Sequence, residues 1–227
     1  MNWKQHFADR TRHTKRTAVR ELLKMAAQPG MISFAGGLPA AELFPVAQVR
    51  RAANAVLKKI GPRALQYGET EGIAELRDWI AGQFSRPQLP APLDPVGRTC
   101  RAAAAGAERP FGSGIPRPLT RSNVAIVSGA QQALDLIGRV FLNAGDKVVV
   151  ENPTYLALLS AWRPLEVQFL PVPSDADGLC VERLEPLLEQ RPKLVYTVPN
   201  FQNPQGTTLA LDRRARLAEL LRQHAVG

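Results

Sequence analysis

Three short segments of the chain hold residue types that do chemistry in combination. Ser128-Gly129-Ala130-Gln131-Gln132 follows an apolar run and opens a helical pattern. Gly129 permits a tight turn there. The amides of Ala130 and Gln131 become unpaired donors at a helix start, where the dipole favours an anion. Alone, this segment reads either as a phosphate cradle or as a plain strand-to-helix turn. Glu151-Asn152-Pro153-Thr154-Tyr155 follows a second apolar run, and its tyrosine reads either as a stacking platform for a flat heterocycle or as ordinary half-buried packing. Val198-Pro199-Asn200-Phe201-Gln202-Asn203-Pro204-Gln205-Gly206 follows a third. Its asparagine amides can donate to a phenolate-like oxygen or a carboxylate, and the bland alternative is a turn built for its own sake.

All three segments stand where strands give way to loops, the end of an α/β sheet at which ligands gather. The elements that must position them follow from periodicity. Val19, Leu22, Leu23 and Ala26 predict a helix over 14–27, closed by Pro29-Gly30, with an extended run at 31–34. Helices are expected over 46–60, 72–84, 130–143, 154–162 and 181–190, and from 211. Strands are expected at 124–127, 147–150, 167–170 and 194–198. Strands alternating with helices predict an α/β fold, a mainly parallel sheet covered on both faces. Between them, prolines at 87, 90, 92, 95, 110, 116 and 118 break any period over 86–122, which reads as a disordered insertion.

Composition narrows the function classes. The chain has 227 residues, 45% hydrophobic and 22% charged, enough to bury a core without disulfide staples. Cys100 and Cys180 match no metal-ligand spacing. No apolar run approaches the roughly 20 residues that span a bilayer, and the polar start, Met1-Asn2-Trp3-Lys4, is no secretion signal. The expectation is a cytoplasmic protein with no membrane partner. A net charge of +9 rests on scattered arginines and one cluster, Arg10, Arg12, Lys15, Arg16 and Arg20, so nucleic acid is not the expected partner. A Gly-x-Gly-x-x-Gly fingerprint is absent, which opposes a generic dinucleotide site.

In order and spacing, these motifs resemble the fold type I aminotransferases that use pyridoxal 5′-phosphate, nearest the 2-aminoadipate and kynurenine group. Arg20-Glu21-Leu22-Leu23-Lys24, Ile32-Ser33-Phe34-Ala35-Gly36-Gly37-Leu38-Pro39 and Leu65-Gln66-Tyr67-Gly68 strengthen the resemblance, which covers about 14–85 and 122–224. It implies that Ala130 and Gln131 hold the cofactor phosphate and that Tyr155 stacks on its ring. Asn203 would donate to its phenolic oxygen and approach the substrate carboxylate. Tyr67 would reach a phosphate across a homodimer interface, while Gly37, Leu38 and Arg20 would line the substrate pocket. The substrates implied are an amino acid and a 2-oxo acid such as 2-oxoglutarate. Residues 1–60 would form an arm and part of a small domain, and 61–227 part of the cofactor-binding domain, incomplete at its C-terminal side.

The resemblance also implies a lysine that holds the cofactor covalently, whose amine is nucleophile and base. The lysines here are 4, 15, 24, 58, 59, 147 and 193, and none has the expected context. That lysine, the aspartate facing the ring nitrogen and the arginine for the substrate carboxylate are all expected past Gly227. No catalytic residue of that set is present, so the chain alone is expected to be inactive. The alternative is a non-enzymatic truncated remnant or a partner-binding fragment.

Overall fold

Val148, Val149 and Val150 are enclosed on both sides, and a strand buried on two faces needs cover from two directions. This is strand β1, Lys147–Asn152, in a computed structural model that describes residues 3–9, 11, 39–85 and 119–227. The helix expected over 14–27, the run at 31–34, Arg20, Gly37, Leu38 and positions 86–118 lie outside the described residues. Two compact units divide the chain, one within Lys15–Ile73 and the other from Met1–Thr14 with Ala74–Gly227.

In the first unit, helix α1 runs Val46–Ala64, four residues past its expected end. Ile60 is non-helical (φ −140°), and Pro62 sits two residues later. Proline suits the first turn of a helix but not its interior, so the chain kinks and restarts there. The apolar stripe of α1, including Val46, Val49, Val56 and Leu57, stands exposed.

The second unit holds α2 (Ala74–Ser85), α3 (Gly129–Phe141), β1, α4 (Leu156–Trp162), β2 (Gln168–Asp175), β3 (Gly178–Leu179), α5 (Glu185–Leu188), β4 (Leu194–Tyr196) and α6 (Leu211–His224). The sheet order is β3-β2-β1-β4, with β1 parallel to both β2 and β4 and only the β2–β3 hairpin antiparallel. Alternation along β1 sorts the core into two layers. Val148 and Val150 pack with Leu134 of α3 and Leu158 and Trp162 of α4. Val149 packs on the opposite face with Leu188 of α5 and Leu217 and Leu220 of α6. The expected α/β architecture, mainly parallel and covered on both faces, is present.

Several boundaries differ from expectation. Strand β2 continues five residues beyond 170, through Pro171 and Pro173. Gln168 donates its amide to Asp146 on the β1 side, whereas the Pro173 carbonyl accepts from Cys180 on the β3 side. Both odd-numbered prolines therefore face away from β1, so neither removes an amide from the parallel ladder. The helix expected over 181–190 is a 3₁₀ turn, Val181–Arg183, followed by the short α5. The strand expected at 124–127 joins no ladder among the described residues. It is an extended segment held by Arg77, whose guanidinium donates to the carbonyls of Arg121 (2.9 Å) and Val124 (2.9 Å). Within the proline-rich stretch, positions 119–122 are described, and Arg121–Asn123 form a 3₁₀ turn. Beyond β4, Val195 donates to the Gly227 carbonyl and Gly227 to that of Lys193, the pattern of a parallel bridge on the β4 edge.

Candidate functional site

Helices α3 and α4 run side by side in the same direction. Their carboxyl ends are tied by the Gly145 amide, which donates to Glu166 at 2.9 Å. One turn back along α3, the Trp162 indole at the end of α4 packs on Gly138 and donates to the Leu134 carbonyl at 2.8 Å. Both amino ends consequently face the carboxyl end of the sheet. Gly129 begins α3 with φ +76°, a left-handed conformation that suits glycine. Ala130 and Gln131 form the exposed first turn, and the Gln132 side chain accepts the Ser128 amide. Tyr155 is the residue before α4, half-buried against the Leu134–Trp162 layer.

The loop after β4 reaches the same sheet end. Glu151, the fifth residue of β1, is 3% exposed and accepts from Thr197 Oγ1 at 2.6 Å, from the Val198 amide at 3.3 Å and from Gln202 Nε2 at 3.0 Å. Gln202 also donates to the Pro153 carbonyl at 2.8 Å. The loop bearing Asn203 is thereby stitched to the loop bearing Tyr155. On its other flank Arg214 of α6 donates to the carbonyls of Leu209 and Pro199 and to Asn200 Oδ1. Asn203 is exposed at the tip, before a cis peptide to Pro204; Asn152–Pro153 is also cis. Exposed Phe201 holds a left-handed φ of 48° in this loop, a conformation that persists only where surrounding bonds enforce it.

Of the residues singled out from the sequence, Ala130, Gln131, Tyr155 and Asn203 thus stand at one end of one sheet. Tyr67 lies in the other unit and is fully exposed; Arg20, Gly37 and Leu38 are outside the described residues. Glu151, Gln202, Thr197 and Arg214 received no role from sequence reasoning. The only local signal was a carboxylate ending a run of three valines.

The site segments 128–132, 152–155 and 200–206 contain no charged side chain. Anion recognition there falls to backbone and side-chain amides. Thr154 adds a buried hydroxyl with no hydrogen-bond partner among the described residues. Such a donor set, beside an aromatic ring, fits a phosphorylated aromatic ligand. The lysines of this sheet are elsewhere. Lys147 begins β1, about 17 Å from its far end at the usual rise, and Lys193 precedes β4 and pairs with Asp146 at 2.9 Å. No group of three or more metal-ligating side chains occurs among the described residues, and none of their helices is long and apolar enough to cross a membrane.

Tyr196, the last residue of β4, lies edge-to-face with Trp162 at 6.2 Å. Burial, reinforced by Glu151 and Tyr155, pushes its phenol up to about 12. The folded value is raised above the ordinary one near 10, so the stability contributed by the neutral phenol is complete below pH 10 and is lost as pH climbs through 12. In urea melts across that window, the unmodified chain is expected to lose stability more steeply than Tyr196→Phe. Parallel slopes would contradict this.

The sequence pattern of the family described as aminotransferase class I and II matches residues 30–226. An aromatic-amino-acid aminotransferase of Thermococcus litoralis is 38% identical over 230 residues, covering 99% of this chain and 49% of that protein. A 2-aminoadipate transaminase of Thermus thermophilus is 35% identical over 228 residues, covering 100% and 49%. Among solved structures, an α-aminoadipate aminotransferase from Thermus thermophilus, complexed with N-(5′-phosphopyridoxyl)-L-leucine, superposes with a TM-score of 0.78 at 33% identity, over 100% of this chain and 49% of that one. The kynurenine aminotransferase of Pyrococcus horikoshii gives 0.79 at 36%, over 99% and 50%. The chain spans about half the length of the curated relatives it matches.

Proposed function

The chain belongs to the aminotransferase class I and II family, and on that premise we propose that it supplies the cofactor-binding half of a pyridoxal 5′-phosphate-dependent aminotransferase. The reaction is transfer of an amino group from an amino acid to a 2-oxo acid such as 2-oxoglutarate, in a cytoplasmic homodimer. One observation supports the reading: the α3 start, Tyr155 and the loop bearing Asn203 stand at the same end of the sheet, where uncharged donors are concentrated.

In this assignment the amides of Ala130 and Gln131, with the Gln131 side chain, hold the phosphate. Tyr155 stacks on the ring, and Asn203 donates to the phenolic oxygen and orients the substrate carboxylate. Tyr67 serves the partner subunit's phosphate, and Arg20, Gly37 and Leu38 line the substrate pocket. When bound, the cofactor supplies an electron sink for the α-carbon of the amino acid. Covalent attachment needs a lysine at the carboxyl end of the sheet, and Lys147 and Lys193 are at the other. The 227-residue chain alone is therefore expected to bind the cofactor reversibly and to transfer no amino group.

Titration with pyridoxal 5′-phosphate, followed by equilibrium dialysis, tests this. Binding should weaken about tenfold in Asn203→Ala, the loss expected for one hydrogen bond to a charged or strongly polarised acceptor. Borohydride treatment should leave no stoichiometric pyridoxyl adduct on any lysine. Unchanged affinity in Asn203→Ala would remove the site assignment; a fixed adduct accompanied by amino transfer would overturn the predicted inactivity. A second reading, a partner-binding remnant, draws on the exposed Leu136, Ile137, Val140 and Phe141 of α3. It calls for a broad, non-cooperative melt and no cofactor binding.

A further inference from the structure

Resting on the cofactor-site reading, we propose that Glu151 and Gln202 are a positioning pair that sets Asn203 relative to Tyr155. Glu151 is an ionisable group at a buried strand end, a position where an apolar residue would cost less. Its neighbours explain the choice. Thr197 Oγ1 (2.6 Å), the Val198 amide (3.3 Å) and Gln202 Nε2 (3.0 Å) are all used here as donors, so the position calls for a group that only accepts. A glutamine there would turn its own NH₂ toward a donor.

Gln202, 2% exposed, is the crosspiece. Its two amide hydrogens go to Glu151 and to the Pro153 carbonyl (2.8 Å), and its oxygen accepts the Gln205 amide (2.9 Å). Its backbone amide donates to Thr207 at 2.8 Å, and its carbonyl accepts from Gly206. One side chain therefore joins the segment two residues before Tyr155 to the turn that presents Asn203. Neither member of the pair is assigned contact with the cofactor; Gln202 acts through its neighbour Asn203, and Glu151 acts through Gln202.

The test uses the 227-residue chain with pyridoxal 5′-phosphate as probe, and amide hydrogen exchange as an independent readout. Glu151→Gln and Gln202→Met should each speed exchange at the Gln202, Gln205 and Gly206 amides about tenfold or more, with the β1 and β2 amides unchanged. Cofactor affinity should fall about as far as in Asn203→Ala. The double variant Glu151→Gln/Asn203→Ala should bind no more weakly than Asn203→Ala alone, since coupled residues are not additive. Additive losses, or loop exchange that does not respond, would overturn the proposal. Should Glu151→Gln lose its cooperative melt, Gln202→Met, which keeps the buried carboxylate, decides by the same criteria. Failure of the unmodified chain to bind the cofactor would defeat the functional reading instead, and loop exchange would still decide the positioning role.

Discussion

Replacing Trp162 by alanine should remove about 3–5 kcal/mol of stability, the range for deleting a buried aromatic side chain. Trp162 is 2% exposed and closes the end of α4. Its ring occupies the space that a methyl on Gly138 would need, with indole atoms 2.7 and 2.8 Å from that position. The indole nitrogen satisfies the Leu134 carbonyl inside α3, and the ring edge meets Tyr196 of β4. One side chain therefore bolts α3 and α4 to the sheet. Against a typical total of about 5–15 kcal/mol, its loss lowers the urea midpoint by about a fifth or more. Trp162→Phe divides the effect: much of the buried area remains, and losing the hydrogen bond costs about 1–3 kcal/mol. Loss of about 1 kcal/mol or less in Trp162→Ala would show that the two helices are held by other contacts.

The same bolt explains how far the sequence could be read. Apolar runs announced β1 and β4 because a strand covered on both faces has no polar side to display. The three loops of the candidate site were visible because each interrupts such a run with residues of restricted backbone, Gly129, Pro153 and Pro199 among them. The prolines of β2 concealed its second half, since which side of a strand lacks its amides depends on a neighbour that local pattern does not name. The apolar run at 124–127 looked like a strand for the converse reason. Apolarity is local, whereas ladder pairing requires a partner. Glu151 was illegible as an anchor because its partners are 46–51 residues away. No spacing rule connects a carboxylate on one strand to a loop beyond another.

Charged side chains at both ends of the sheet are paired off in a way the sequence also hid. Asp146 and Lys193 pair at the amino ends of the strands, where the Asn143 amide and then Lys193 hold the Asp146 carboxyl below its ordinary value. Arg213 grips Asp175 at the hairpin and holds that carboxyl well below the usual carboxylate range. At the carboxyl end beside β1 and β4, Glu151 is occupied by its own donors and Arg214 by Leu209, Pro199 and Asn200, leaving neutral amides and hydroxyls on the site segments themselves. On the proposed assignment the phosphate is held by hydrogen bonds rather than by an opposing ion, so cofactor affinity should depend only weakly on salt.

Gly178→Ala should cost about 2–5 kcal/mol, combining a left-handed backbone penalty of about 1–2 kcal/mol with about 1–3 kcal/mol of overpacking. Gly178 has φ +90°, and a β-carbon there would lie 2.8 Å from the Leu209 Cα, a backbone atom with no rotamer to yield. Gly145 provides the control. Its φ is +84°, but a β-carbon there meets nothing within 4 Å, so Gly145→Ala measures the backbone penalty alone. The difference between the two urea midpoints is the cost of moving Leu209. That displacement reaches the candidate site, because the Leu209 amide donates to the Pro199 carbonyl at 2.9 Å and its own carbonyl accepts from Arg214. Gly178→Ala is accordingly expected to weaken pyridoxal 5′-phosphate binding as well as stability, whereas Gly145→Ala lowers stability only. Equal midpoint shifts in the two variants would mean that Leu209 accommodates the methyl freely. In that case the loop bearing Asn203 does not depend on the hairpin behind it.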